Sequence, residues 1–229
     1  MSSVAIIPAR GGSKRIPRKN VRMLAGKPAI AHTIELALNS GIFERVVVTT
    51  EDQEVAAIAV EYGAEVPFTR SAELSNDFAT TIEVIADAVQ RLELESIDLY
   101  CCIYPVTPLL TIKRLLEARQ LLEKGEWDYV FPASEYTTPI ERAFRKDSEG
   151  KVNFLLPEFV SIRTQDIKKT YYDAGQFYFG TTQAWLNKSP ILSGNSTFIE
   201  LHKNEVIDID ELADWELVEV LFKERNTLH

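Results

Sequence analysis

Short apolar runs of strand length alternate with segments of helical periodicity through the first part of this chain, and no other feature limits its fold as much. The runs at 4–8, 45–49, 98–104 and 129–133 are apolar at consecutive positions rather than at every second one, so strands there bury both faces. Between them, 29–38, 54–62, 81–92 and 112–122 read as amphipathic helices. In the third, Ile82, Ile85, Ala86 and Val89 recur on one face. Doubly buried strands separated by helices predict an α/β fold: a mostly parallel, doubly wound, Rossmann-like sheet with helices on both sides. Further strands are expected at 176–179 and 206–207, and a last helix at 212–223.

In such sheets ligands bind beyond the carboxyl ends of the strands, and the loop after the first strand is suited to an anion. It reads Ala9-Arg10-Gly11-Gly12-Ser13-Lys14-Arg15-Ile16-Pro17-Arg18-Lys19-Asn20. No Asp or Glu precedes Glu35, so the opening of the chain is strongly basic although the whole carries a net charge of −9. Cations crowded into one loop repel one another unless an anion lies among them. Paired glycines let backbone N–H groups approach such an anion closely. The spacing is neither that of a Walker A loop nor that of the Gly-x-Gly-x-x-Gly dinucleotide fingerprint. A plain solvated basic loop would account for neither the strand before it nor the adjacent glycines.

The same stretch closely resembles the N-terminal signature of the CMP-sialic acid synthetase superfamily, cytidylyltransferases that activate nine-carbon acidic sugars, and within it the branch acting on pseudaminic acid. The resemblance implies that CTP is held by Ala9, Arg10, Gly11, Gly12, Ser13, Lys14, Lys19 and Asn20, with Arg10 and Lys19 acting on the reacting phosphates. It extends to Arg70, implied to contact the cytosine end, and to Thr81 in place of a nucleotide-contacting serine. Asp208 and Asp210 of Ile207-Asp-Ile-Asp match the family's metal pair and imply Mg²⁺, with Asp210 also catalytic. Tyr104 of Tyr-Pro-Val-Thr-Pro replaces a sugar-contacting glutamine of sialic acid enzymes, and Asp173-Ala-Gly-Gln resembles the pseudaminic branch.

Local chemistry bears on each of these with an alternative beside it. Two carboxylates two residues apart share one face of an extended chain and suit a hard cation, yet Asp208 with Glu211 also fits a capping box opening the last helix. Arg70 is either a ligand group or the surface partner of Glu73. Thr80 or Thr81 can cap the helix beginning there. Arg163 suits a sugar carboxylate by its bidentate fork, and Gln165 and Gln176 can donate and accept toward hydroxyl and N-acyl groups. Asp173 to Gly175 equally reads as a turn.

The length suits one domain over 1–229. Its periodicity breaks between 135 and 172, where Pro139, Pro157 and Asp147-Ser-Glu-Gly interrupt it. We read there a β-hairpin inserted into the sheet, and the resemblance implies a dimerisation element that makes the chain a homodimer. An acidic chain with a pI near 5.0 argues against nucleic acid as a partner. No apolar run is long enough for a membrane span, and the opening apolar run is too short for a signal peptide. Cys101 and Cys102 are adjacent in a strand, so they point to opposite faces and read as reduced core residues; a cytoplasmic location is expected. His32, His202 and His229 have no metal-ligand company. A nucleotide sensor of the same fold, and synthetases for sialic or legionaminic acid, remain as alternatives.

Overall fold

The computed structural model describes residues 1–94 and 96–227; His229 lies outside them. Its strands are Ser3–Pro8 (β1), Met23–Leu24 (β2), Lys27–Pro28 (β3), Arg45–Thr49 (β4), Leu99–Ile103 (β5), Tyr129–Glu135 (β6), Phe144–Lys146 (β7), Val152–Phe154 (β8), Tyr171–Asp173 (β9), Phe177–Thr181 (β10) and Ser196–Leu201 (β11). The helices are Ala29–Asn39 (α1), Gln53–Glu61 (α2), Thr81–Leu92 (α3), Ile112–Leu122 (α4), Thr182–Leu186 (α5) and Leu212–Thr227 (α6).

The central sheet has the order β11-β6-β10-β5-β1-β4, with β9 pairing β6 off this path. β4, β1, β5, β6 and β11 run in one direction, and β9 and β10 run against them. The mostly parallel α/β sheet expected from the alternation of runs is therefore present. Alternate side chains of β1 explain the layering. Ala5 and Ile7 join the core under α1, α2 and α4, whereas Val4 and Ile6 join the core under α3 and α5. Cys101 and Cys102 divide between the same two faces, fully buried and unbridged. Among the described residues no helix is long and apolar enough to cross a membrane.

Several expectations need correction. The hairpin of β7 and β8 stands as a separate two-stranded sheet, with Phe144 opposite Phe154, rather than inserted into the main one; the strand of this region that joins the central sheet is β9. Residues 206–207 form no strand. The parallel partner of β6 is instead β11, whose alternation buries Ile199 and Leu201 while Glu200 faces out. α6 is capped differently from the Asp208–Glu211 box. Asp214 Oδ2 accepts the N–H groups of Asp210 and Glu211 at 3.0 and 2.7 Å, which is the return half of a capping box with Glu211 at its start.

A third cluster of buried residues fixes the last helix against the basic loop. Ile16 of that loop, Leu24, Ala29, Leu109, Ile209, Trp215 and Val218 pack together, and Arg22 lies over the Trp215 ring at 5.5 Å. This cluster docks α6 beside the loop after β1 and the loop after β5.

Candidate active site

Two cavities open at the carboxyl ends of β1, β4 and β5. One, of about 500 Å³, is bounded by the basic loop (Arg10, Ser13, Lys14), by Arg70 and by the segment from Leu74 to Thr81. The other, of about 400 Å³, lies between Tyr104–Leu109, Tyr172–Gln176 and Val206–Asp210. Arg15, Lys19, Asn20, Tyr104, Pro105 and Ile209 line both. The cavities are thus two halves of one cleft.

The basic loop is anchored from within and without. Asn20 is buried, and its Nδ2 donates to the Arg10 carbonyl at 2.8 Å; the buried Ala9 donates its N–H to Thr49 O at 3.0 Å. Arg18 has a left-handed backbone, with φ 57°, a conformation costing a non-glycine residue about 1–2 kcal/mol. Its guanidinium is held by Asp52 at 2.5 and 3.1 Å and by Glu54. The Arg18 guanidinium in turn keeps the Asp52 carboxyl at about 2, well below its ordinary value. Gly11 is required by a close approach: a Cβ there would collide with the Asp52 carboxylate. Gly12 faces open space.

The anions that this loop needs are in the structure, and they are carboxylates. Arg10 pairs with Asp77 at 2.7 Å, Lys14 shares the same carboxylate, and Arg15 pairs with Asp210. The Gly11 N–H donates to Glu51 Oε1 at 2.7 Å, and the other oxygen of Glu51 takes Arg70 at 2.7 Å. Arg70 is therefore a buried residue paired with Glu51, not a surface partner of Glu73, and its Nε also meets Ser75 Oγ. Burial alone would raise the Glu51 carboxyl, but the Gly11 N–H and Arg70 bring it below its usual range.

At the junction, Lys19 Nζ donates to the carbonyl of Ile209 at 2.6 Å. Burial pulls its ammonium below the usual lysine value, against the opposing pull of Asp208 and Asp210. The buried Ile209 side chain, 4% exposed, pins the segment, so the carboxylates on either side of it line the second cavity. Asp208 has no hydrogen-bond or ion-pair partner among the described residues. Asp210 has Arg15. These hard oxygens fit a hard cation. No cluster of three or more His, Cys, Asp or Glu exists among the described residues, so the remaining ligands would be phosphate oxygens and water.

A line of side-chain contacts leads from Thr81 in the first cavity, through Tyr104, which lines both, to Asp173 in the second. Thr80, not Thr81, caps α3 in a capping box with Glu83. This leaves Thr81 Oγ1 against Tyr104 Oη at 2.8 Å. Tyr104 packs edge-on to Tyr178, whose hydroxyl donates to Asp173 Oδ2 at 2.5 Å. Burial, with Tyr104 and Asp173 beside it, drives the Tyr178 phenol far above its ordinary value, so it stays a proton donor. The other oxygen of Asp173 takes the Gly175 N–H at 2.9 Å, so the turn read from the sequence also exists. Gln176 is buried, with its Nε2 donating to Glu205 O at 2.6 Å and its Oε1 unpartnered.

Of the residues expected to meet the sugar, Tyr104, Asp173 and Gln176 come together. Arg163 and Gln165 do not: both are exposed on the excursion around β7 and β8, and Arg163 pairs with Asp166 at 2.9 Å. Sequence reasoning missed Glu51, Asp77 and Tyr178, and took Arg15 only as one of the cations of the loop. Glu51 had a usable signal, because Thr50-Glu-Asp comes directly after a buried strand at the same sheet edge as the basic loop. His32 Nε2 lies 2.8 Å from Leu24 O and takes no part.

Comparison with known proteins gives the family and the fold. The cytidylyltransferase family model matches residues 4–207. The chain is 41% identical over 225 residues to the pseudaminic acid cytidylyltransferase of Campylobacter jejuni subsp. jejuni, covering 97% of each. It is 33% identical over 231 residues to the CMP-N,N'-diacetyllegionaminic acid synthase of Legionella pneumophila, again over 97% of each. A solved structure of CMP:2-keto-3-deoxy-manno-octonic acid synthetase complexed with CTP shares the fold, with a TM-score of 0.73 at 18% identity over 98% of this chain and all of that one. Family match, full-length relatives and fold agree, and the chain is a member of the cytidylyltransferase family of nucleotidyltransferases.

Proposed function

We propose that this chain joins CTP to pseudaminic acid, a nine-carbon acidic sugar, releasing pyrophosphate and the CMP-sugar. The observation that carries the reading is the divided cleft: a cation-rich half and a hydroxyl-, amide- and carboxylate-bearing half meet at Lys19 and Asn20. The nucleotide lies in the first half with its α-phosphate at the junction. The sugar lies in the second, beside Tyr104, Asp173 and Gln176.

The anomeric hydroxyl oxygen attacks the α-phosphorus, the bond to the bridging oxygen of the pyrophosphate breaks, and the hydroxyl proton leaves to solvent. Catalysis of such a transfer rests on positioning and charge stabilisation. Arg10 and Lys14 offset charge on the departing pyrophosphate. Lys19, fixed by Ile209 O, keeps its ammonium at the junction where charge on the α-phosphate grows. Asp208 and Asp210 would hold Mg²⁺, which supplies Lewis-acid stabilisation of phosphate oxygens and acidifies a nearby hydroxyl. The contacts from Thr81 through Tyr104 and Tyr178 to Asp173 hold Tyr104 between the two halves.

Homodimer formation is part of the proposal. Tyr136, Ile140, Phe144, Val152, Leu155 and Ile162 are all exposed in the 135–172 excursion, and a lone hairpin of this size is marginal in water. The reduced core cysteines suit a cytoplasmic enzyme. The test is pyrophosphate release from CTP and Mg²⁺ with a panel of nine-carbon sugar acids. Release only with a sugar acid, greatest with pseudaminic acid, supports the reading. CTP binding without release for any of them would make the chain a nucleotide sensor, and preference for sialic or legionaminic acid would reassign the sugar.

A further inference from the structure

The cations assigned to the leaving pyrophosphate already hold an anion. Asp77 takes Arg10 on one carboxylate oxygen and Lys14 on the other, and all three residues line the nucleotide half of the cleft. A phosphate group that engages both cations must displace this carboxylate.

The segment bearing Asp77 is fastened at its flanks and lightly held at its tip. On one side Ser75 Oγ donates to Ser71 O at 2.8 Å and receives Arg70 Nε. On the other, the Thr80–Glu83 capping box ties the chain to α3. Asn76 Oδ1 accepts the N–H groups of Phe78 and Ala79 at 2.7 and 2.9 Å, which shapes the turn without fastening it to the loop opposite. The tip has no apolar anchor, since Phe78 is 91% exposed. Its contacts to the basic loop are the Asp77 ion pairs and a long bond of 3.4 Å from Arg10 to Asn76 O.

We propose that Asp77 is an internal competitor for the pyrophosphate end of the nucleotide site, giving way to CTP and re-pairing with Arg10 and Lys14 to expel pyrophosphate after transfer. This rests on the phosphate reading of the basic loop. Asp77 touches no reacting atom; it acts through the two cations. Ligands that reach those cations bear the cost of displacing it. A ligand with a single phosphate at the α position does not.

The test is calorimetric titration of the wild type, Asp77→Asn, Asp77→Glu and Arg10→Ala with inorganic pyrophosphate and, separately, with CMP, at one fixed low ionic strength. Asp77→Asn should bind pyrophosphate more tightly by about three- to tenfold, the scale of two exposed ion pairs, with CMP affinity held within about twofold. Asp77→Glu keeps the charge and should stay near wild type. Arg10→Ala should weaken pyrophosphate. If Arg10→Ala weakens pyrophosphate while Asp77→Asn leaves it unchanged or weaker, the competitor proposal is overturned and the phosphate site stands. If Asp77→Asn shifts pyrophosphate and CMP alike, Asp77 merely shapes the cleft and the proposal again falls. An Arg10→Ala protein with wild-type pyrophosphate affinity would remove the phosphate reading and the proposal together.

Discussion

Replacing Asp210 and Asp214 in turn tests the proposed metal role of Asp210 against a helix-cap role, because the cap is made by a different carboxylate four residues on. Asp214 supplies the cap, accepting two N–H groups at the start of α6. Asp214→Ala leaves both unsatisfied and should cost about 1 kcal/mol, the usual loss of a cap. For a chain of this length that lowers the melting temperature by about 2–4 °C. Asp210 caps nothing; its carboxylate meets Arg15, whose side chain is 72% exposed. An ion pair so open to solvent contributes about 0–1 kcal/mol, and Asn keeps a carbonyl for Arg15 to use. Asp210→Asn should therefore melt close to wild type.

Activity should divide the other way. On the proposed metal role, Asp210→Asn removes a charge that holds the cation, and loss of a group stabilising developing charge costs about 10²–10³ in turnover. Pyrophosphate release at limiting Mg²⁺ should fall by about that factor and recover in part as Mg²⁺ is raised, whereas Asp214→Ala should keep most of its turnover at temperatures below its melt. The assays are melting curves without metal and pyrophosphate release across an Mg²⁺ series. Wild-type turnover by Asp210→Asn at limiting Mg²⁺ would refute the metal assignment. A stability loss in Asp210→Asn matching that of Asp214→Ala would refute the division of roles.

Arg10→Ala should weaken CTP use by about 1.5–3 kcal/mol, the loss of a charged hydrogen bond, and leave the melt unchanged; Lys19→Ala should lower both, since it strands the Ile209 carbonyl at about 1–3 kcal/mol, and CTP KM measured beside melting curves distinguishes them. Asp52 ionises at about 2 in the folded chain because of Arg18, below its unfolded value near 3.9. Its contribution is therefore complete above about pH 4 and lost as pH falls through about 2. Denaturant titrations should show the stability gap between wild type and Asp52→Asn closing over that window, and a gap that widens toward acid would contradict the sign. Light scattering at micromolar concentration should give a dimer, and a monomer there would remove the 135–172 interface.

What the sequence made legible was what local pattern controls. β1 and β4 were readable because consecutive apolar residues leave no solvent face, and α3 because its apolar residues repeat at helical spacing. That the cations of the basic loop need anionic partners was readable from its charge alone. The carboxylates that complete it were not, because nothing local links Asp77 to Arg10, or Glu51 to both Gly11 and Arg70; those partners meet only when β1 and β4 pair in parallel and α3 returns across the sheet. The same limit explains Asp208 and Asp210. Their spacing fitted a cap as well as a metal site, and the cap reading is removed only by a residue outside that spacing: Asp214 takes over the cap, while Ile209, buried with Trp215 and Ile16, holds the segment at the cleft. β11 was missed for a related reason. Ser-Thr-Phe-Ile-Glu-Leu alternates weakly, and it becomes a strand because β6 offers it an edge, so its existence is a property of the sheet rather than of those six residues. Arg163 marks the far end of this scale. Its chemistry suits a carboxylate, but the excursion carrying it buries no residue against its own sheet, so nothing draws the side chain into the cleft and its carboxylate partner is the neighbouring Asp166.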